Sequence, residues 1–126
     1  MRNRLLIRNL KWLYSEASVI LHCETNDLQQ NLKTVDNLKQ IHDYTKANSP
    51  KTKLVISTII TRKDNIELDK KAKVMNDRLI KFASKNDFYI IDNKNIDETC
   101  LNKKKLHLNR KGNSYLANNM IKFLKA

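Results

Sequence analysis

Three short runs rich in β-branched or aromatic residues, ASVILH at 17–22, LVISTII at 54–60 and FYIID at 88–92, are separated by stretches with a different period. Leu28, Leu32, Val35, Leu38 and Ile41 recur at spacings of three and four, as do Leu68, Ala72, Met75, Leu79 and Phe82. Each series predicts an amphipathic helix. Leu116, Met120, Phe123 and Leu124 predict a last helix, and Leu6, Leu10 and Leu13 an opening one. The middle run is almost continuously apolar, the pattern of a parallel strand covered on both faces. Strands alternating with helices need crossover connections, so the order predicts an α/β protein, a three-layer α/β/α sandwich around a parallel sheet.

Composition removes most competing architectures. One Gly and one Pro in 126 residues exclude collagen-like, linker-like and turn-dense all-β chains, which need those residues at each reversal. An apolar share of 40% supplies an ordinary core and argues against disorder throughout. The length suits one domain over residues 1–126, and no repeat or low-complexity tract divides it. Two cysteines, Cys23 and Cys100, are too few and too distant for a disulfide framework or a CxxC metal site. No metal and no organic cofactor are expected, and the expected setting is a reduced, intracellular (cytoplasmic) one.

The opening MRNRLLIRNLKWLY is basic, but Arg8, Asn9 and Lys11 interrupt its apolar positions, so it is neither a signal h-region nor a membrane span. No membrane partner is expected. The 25 Lys and Arg against 13 Asp and Glu give a net charge of +12, which suits non-specific nucleic acid or another acidic partner. Lys, Asn and Ile are so abundant that biased base composition would produce much of the same excess.

In open α/β sheets ligands bind beyond the carboxyl ends of the strands, which directs attention to 22–27, 61–65 and 92–112. Asn26 and His107 would then share one rim. An amide can donate to an oxyanion and an imidazole can act as general base, two parts of acyl transfer. Each residue also has a plainer use: Asn26 with Asp27 can cap a helix near Leu28, and His107 can be a surface histidine. His22 and His42 read as structural. Cys23, on the same rim as His107, reads as a small buried residue before it reads as a thiolate. Ser57, Thr58 and Ser114 carry no elbow motif.

ETND at 24–27, ISTIITRKDN at 56–65 and LHLNRKGNSYLANNMIKFL at 106–124 resemble, in order and spacing, the later blocks of the SGNH (GDSL-type) hydrolases, from about Ala17 onward. The resemblance implies a flavodoxin-like sheet and an esterase acting on a small ester or acetyl substrate. It gives Asn26 the oxyanion-hole role and His107 the general-base role. Three departures predict impaired catalysis. No Gly-Asp-Ser block precedes residue 17, where Ser15 is the only serine; Glu24 stands where the family has Gly; and Lys104 stands where it has the acid that orients His. Asp97 or Glu98 could replace that acid.

The resemblance therefore predicts an N-terminally truncated fold, and a strand at 17–22 without its neighbour predicts self-association through an unpaired sheet edge. Two alternatives stand beside the esterase reading: a basic, nucleic-acid-associated domain of a mobile-element protein, and a gene fragment without function.

Overall fold

The computed structural model describes residues 10–14, 18–24 and 31–126. Strand β1 (Leu10–Tyr14) is followed by β2 (Ser18–Cys23), helix α1 (Asn31–Asn48), β3 (Lys53–Ser57), α2 (Ile66–Lys85), β4 (Phe88–Ile91), a short 3₁₀ turn at Glu98–Cys100, and α3 (Arg110–Lys125). The three apolar runs are adjacent strands: β2 pairs in parallel with β3, and β3 with β4. Ile59 and Ile60 leave the sheet, so the middle strand is shorter than its apolar run.

One expectation is overturned. Leu10 and Leu13 belong to a strand, not to an opening helix, and β1 lies antiparallel on the outer edge of β2 with Leu10 opposite Cys23 and Tyr14 opposite Val19. An apolar strand with an open edge is better satisfied by backbone pairing than by a helix laid beside it, because each paired residue closes N–H and C=O groups. The sheet is therefore β1-β2-β3-β4, and β2, expected to be an exposed edge, is an inner strand.

Alternation along the strands divides the core. Val19, Leu21, Leu54, Ile56 and Phe88 face α1 and α2, where Leu38, Ile41, Met75 and Leu79 complete the main cluster. Ile20, Val55 and Ile91 face the other way, against Met120 and Phe123 of α3. Two helices on one face and one on the other make three layers. Of the series that predicts α1, Leu28 lies outside the described residues, and Leu38 and Ile41 are buried.

Polar side chains hold the segment beyond β3, where the ladder ends. Asn76 on α2 accepts from the Ile59 N–H at 2.8 Å and donates to the Ile59 carbonyl at 2.9 Å. Buried Asp69 accepts from the Thr61 hydroxyl at 2.8 Å and from Lys63 Nζ at 2.9 Å. Backbone that the sheet no longer satisfies is thereby paired from the neighbouring helix.

Candidate functional site

A cavity of about 700 Å³ opens beyond the carboxyl ends of β2 and β3. His22 and Cys23 line it from β2, Glu24 from just after that strand, Thr61 and Arg62 from the segment after β3, and His107 from the loop before α3. Ile60, Leu101, Leu106, Leu108 and Leu116 supply apolar walls. The rim rule thus brings 22–24, 60–62 and 106–108 together across more than eighty residues of sequence. Asn26 lies outside the described residues.

His107 is presented by a tightly tied loop. Its carbonyl accepts from the Asn102 N–H at 2.7 Å, and the Lys63 N–H donates to the Lys105 carbonyl at 2.8 Å, joining the two loops of the rim. Asn109 ends the loop and caps α3: its Oδ1 accepts from the Gly112 N–H at 2.9 Å while its amide donates to the Thr99 and Leu101 carbonyls. The imidazole itself is exposed, and among the described residues no side chain is hydrogen-bonded to it. Lys104, in the position where the resemblance expects an acid, is exposed as well.

Neither proposed substitute orients His107. Asp97 caps the 3₁₀ turn, accepting from the Thr99 N–H at 2.9 Å and its hydroxyl at 2.6 Å, bonds that hold its pKa below the ordinary value. Glu98 pairs with Lys105 at 3.5 Å. The carboxylate that senses His107 is Asp64, which sequence inspection passed over. Its pKa is lowered mainly by the bidentate hydrogen bonds from Arg62, and the charge of His107 contributes the same sign. Because Asp64 is committed to Arg62, it supplies a field and no orienting hydrogen bond.

Cys23 is fully buried within the main core cluster even though it borders the cavity, in keeping with its reading as a small packed residue. No serine lines the cavity among the described residues. Ser57 and Thr58 are buried behind the wall, where Thr58 Oγ1 accepts from the Asn93 N–H at 2.9 Å. His22 is tied into the sheet, its Nδ1 lying 2.9 Å from Ser57 Oγ. His42, by contrast, sits on α1 beside Asp43 and the Phe88 ring, away from the cavity.

A smaller cavity of about 260 Å³ adjoins through Thr61 and is lined by Asp69, Asp92, Asp97 and Glu98. Its carboxylates are engaged: Asp69 by Lys63 and Lys73, Asp92 by the Lys94 N–H, Asp97 by Thr99 and Glu98 by Lys105. Among the described residues no group of three or more His, Cys, Asp or Glu side chains could hold a metal ion, and no helix is long and apolar enough to cross a membrane.

Solved structures similar to this chain include an esterase domain, a GDSL-like lipase and a carbohydrate esterase. The esterase domain of the ORF1 protein from the zebrafish ZfL2-1 retrotransposon matches with a TM-score of 0.66 and 20% identity over 82% of this chain and 66% of its own. A GDSL-like lipase from Bacteroides thetaiotaomicron gives a TM-score of 0.68 at 14% identity over 84% of this chain and 60% of its own. A carbohydrate esterase of family 3 from Talaromyces cellulolyticus gives 0.68 at 16% identity over 84% and 57%.

The fold is that of the SGNH hydrolases.

At these identities the likeness establishes the SGNH fold alone, and the chain spans less than two thirds of the length of these proteins. No family model matches the sequence, and no curated protein matches it.

Proposed function

We propose that this chain is an SGNH-hydrolase-like domain of esterase type, whose cavity receives an ester or acetyl group and whose hydrolytic step is impaired in the chain as it stands. One observation carries the reading: the cavity at the carboxyl ends of the strands joins His107 to apolar walls that suit a short acyl chain. By resemblance, His107 is the base and Asn26 an oxyanion donor. Glu24 puts a negative charge beside the place where an oxyanion would develop, and Lys104 offers no acceptor for the imidazole N–H. In triad enzymes the loss of the orienting carboxylate lowers turnover by roughly 10⁴-fold.

The test is release of chromophore from p-nitrophenyl acetate, together with binding of the same acyl class. Turnover is expected at background and unchanged by His107→Ala. Robust turnover that Cys23→Ala or His107→Ala abolishes would overturn the impairment and identify another nucleophile. Failure of short acyl ligands to bind at all would overturn the esterase-type reading.

A second reading has its own observation. The solvent face of α2 carries Lys70, Lys71, Arg78, Lys81 and Lys85, all exposed, against Glu67 and Asp77. From Lys70 to Lys85 this stripe runs about 22 Å at the helical rise. It supports sequence-independent binding to nucleic acid, and one structural neighbour is an esterase domain within a retrotransposon protein. Binding to single- or double-stranded oligonucleotides should weaken steeply as salt rises, because phosphate neutralisation releases counterions. No association at micromolar protein in low salt would leave the stripe as a solvated face.

A further inference from the structure

His22 stands outside the acyl-transfer residues named above, yet its surroundings specify its chemistry. It is in register with Ser57 across the parallel β2·β3 pair, and its Nδ1 lies 2.9 Å from Ser57 Oγ. Ser57 is completely buried, and the other group at its hydroxyl is the side-chain nitrogen of Asn93 at 2.8 Å. That nitrogen is also 2.7 Å from the Thr58 carbonyl oxygen. A carbonyl only accepts, so the nitrogen end of Asn93 is assigned and both its hydrogens are used, one on Thr58 and one on Ser57.

The Ser57 oxygen therefore accepts from Asn93, and among the described residues its own hydrogen has one acceptor, His22 Nδ1. Protonation of Nδ1 would leave a buried hydroxyl hydrogen unmatched, which carries the full desolvation penalty of that group. His22 is thus the neutral tautomer with its hydrogen on Nε2.

The same direction persists further back. Asn93 Oδ1 accepts from Asn119 of α3 at 3.0 Å, and the Asn119 and Asn95 amides exchange a reciprocal pair of hydrogen bonds at 2.9 and 3.2 Å. From Asn119 onward the donors point one way: Asn119 to Asn93, Asn93 to Ser57, Ser57 to His22. Aligned hydrogen bonds polarise one another, so each acceptance strengthens the next donation. The last donor of the chain is the Nε2 hydrogen of His22, and His22 lines the large cavity.

We infer that His22 serves this cavity as a neutral hydrogen-bond donor, through Nε2, to an oxygen of a bound acyl group or carboxylate. The inference rests on the acyl-binding reading of the cavity and adds a ligand-contacting residue to it. His22 then stabilises negative charge while His107 remains available for proton transfer. Glu24 on the same wall disfavours an oxygen anion and Arg62 is held by Asp64, so a fixed neutral donor on this wall offsets part of that charge. A ligand oxygen takes the place of whatever group Nε2–H meets otherwise.

Long-range ¹H–¹⁵N NMR on the unmodified chain at neutral pH reads the tautomer without any substitution. Nε2–H is expected; Nδ1–H, or a mixture exchanging between the two, overturns the inference. Titration with butyrate, a carboxylate with an apolar tail, should shift the His22 Nε2 resonance. Its affinity should fall about tenfold in His22→Leu and in Ser57→Ala, as for loss of one charge-assisted hydrogen bond. Chemical-shift fingerprints of both variants report that the fold is kept. Butyrate bound equally by His22→Leu but lost in His107→Ala would overturn the role of His22 and leave the acyl-binding reading standing. No binding of butyrate to the unmodified chain would overturn both.

Discussion

At the scale of single residues, side chains that reach backbone groups account for much of the site's order. Gly112, the one glycine of the chain, stands in the first turn of α3, where an added Cβ would overlap the Cys100 carbonyl oxygen and lie 2.8 Å from Leu108 Cδ2. Alanine is the better helix former by up to about 1 kcal/mol, but the close approach decides the sign. Gly112→Ala should lower stability by about 1–3 kcal/mol, read as a lower urea midpoint at unchanged m-value; equal or higher stability would show that α3 can shift away from Cys100.

Asp69 argues similarly from charge. Burial by itself would raise its pKa, yet the hydrogen bonds from Lys63, Thr61 and the Arg62 N–H outweigh burial and lower it. A carboxylate with a depressed folded-state pKa contributes stability that is present above its unfolded value and lost as pH falls through the folded one. Asp69→Asn should therefore cost about 1–3 kcal/mol at neutral pH. Urea titrations across pH should show that difference constant above about pH 5 and shrinking below about pH 4. A difference that persisted undiminished at low pH would assign the effect to packing.

At the scale of elements, the unexpected piece is β1. The run containing Leu10 and Leu13 also suits a strand, since Leu10, Trp12 and Tyr14 alternate at a period of two and each periodicity is supported by few positions. The choice is made by β2, whose apolar outer edge needs a ladder partner. Removing residues 1–16 should expose that edge and produce concentration-dependent oligomers in sedimentation, whereas the full chain should remain the smaller species. A monomeric truncated chain would mean that the β2 edge is covered from elsewhere. The three parallel strands and α2 and α3 were legible because their patterns are long and their burial is one-sided or complete. The bounds were less so, as with Ile59 and Ile60, which read as strand but are held by Asn76 after the ladder has ended.

At the scale of the whole molecule, charge and topology act independently. A net charge of +12 repels itself at short range in the compact state. Thermal unfolding should rise by a few degrees between about 20 and 200 mM NaCl, because the Debye length shortens from roughly 20 to 7 Å and screens that repulsion; a fall with salt would show that surface ion pairs dominate.

Parallel α/β order, the identity of the core strands and the convergence of the 22–24 and 106–108 segments on one rim follow from the sequence alone. Periodicity is a local property, and a parallel sheet with crossover helices places all its strand ends together. Tertiary structure alone decided that β1 closes the sheet, that Asp97 and Glu98 turn to Thr99 and Lys105 instead of His107, and that Asp64 carries the nearby charge. It alone joins Ser57, Asn93 and Asn119 behind His22. Such hydrogen bonds link positions 24 to 36 residues apart through side-chain atoms whose meeting depends on strand register and helix packing, and neither quantity is written in the local pattern of residues.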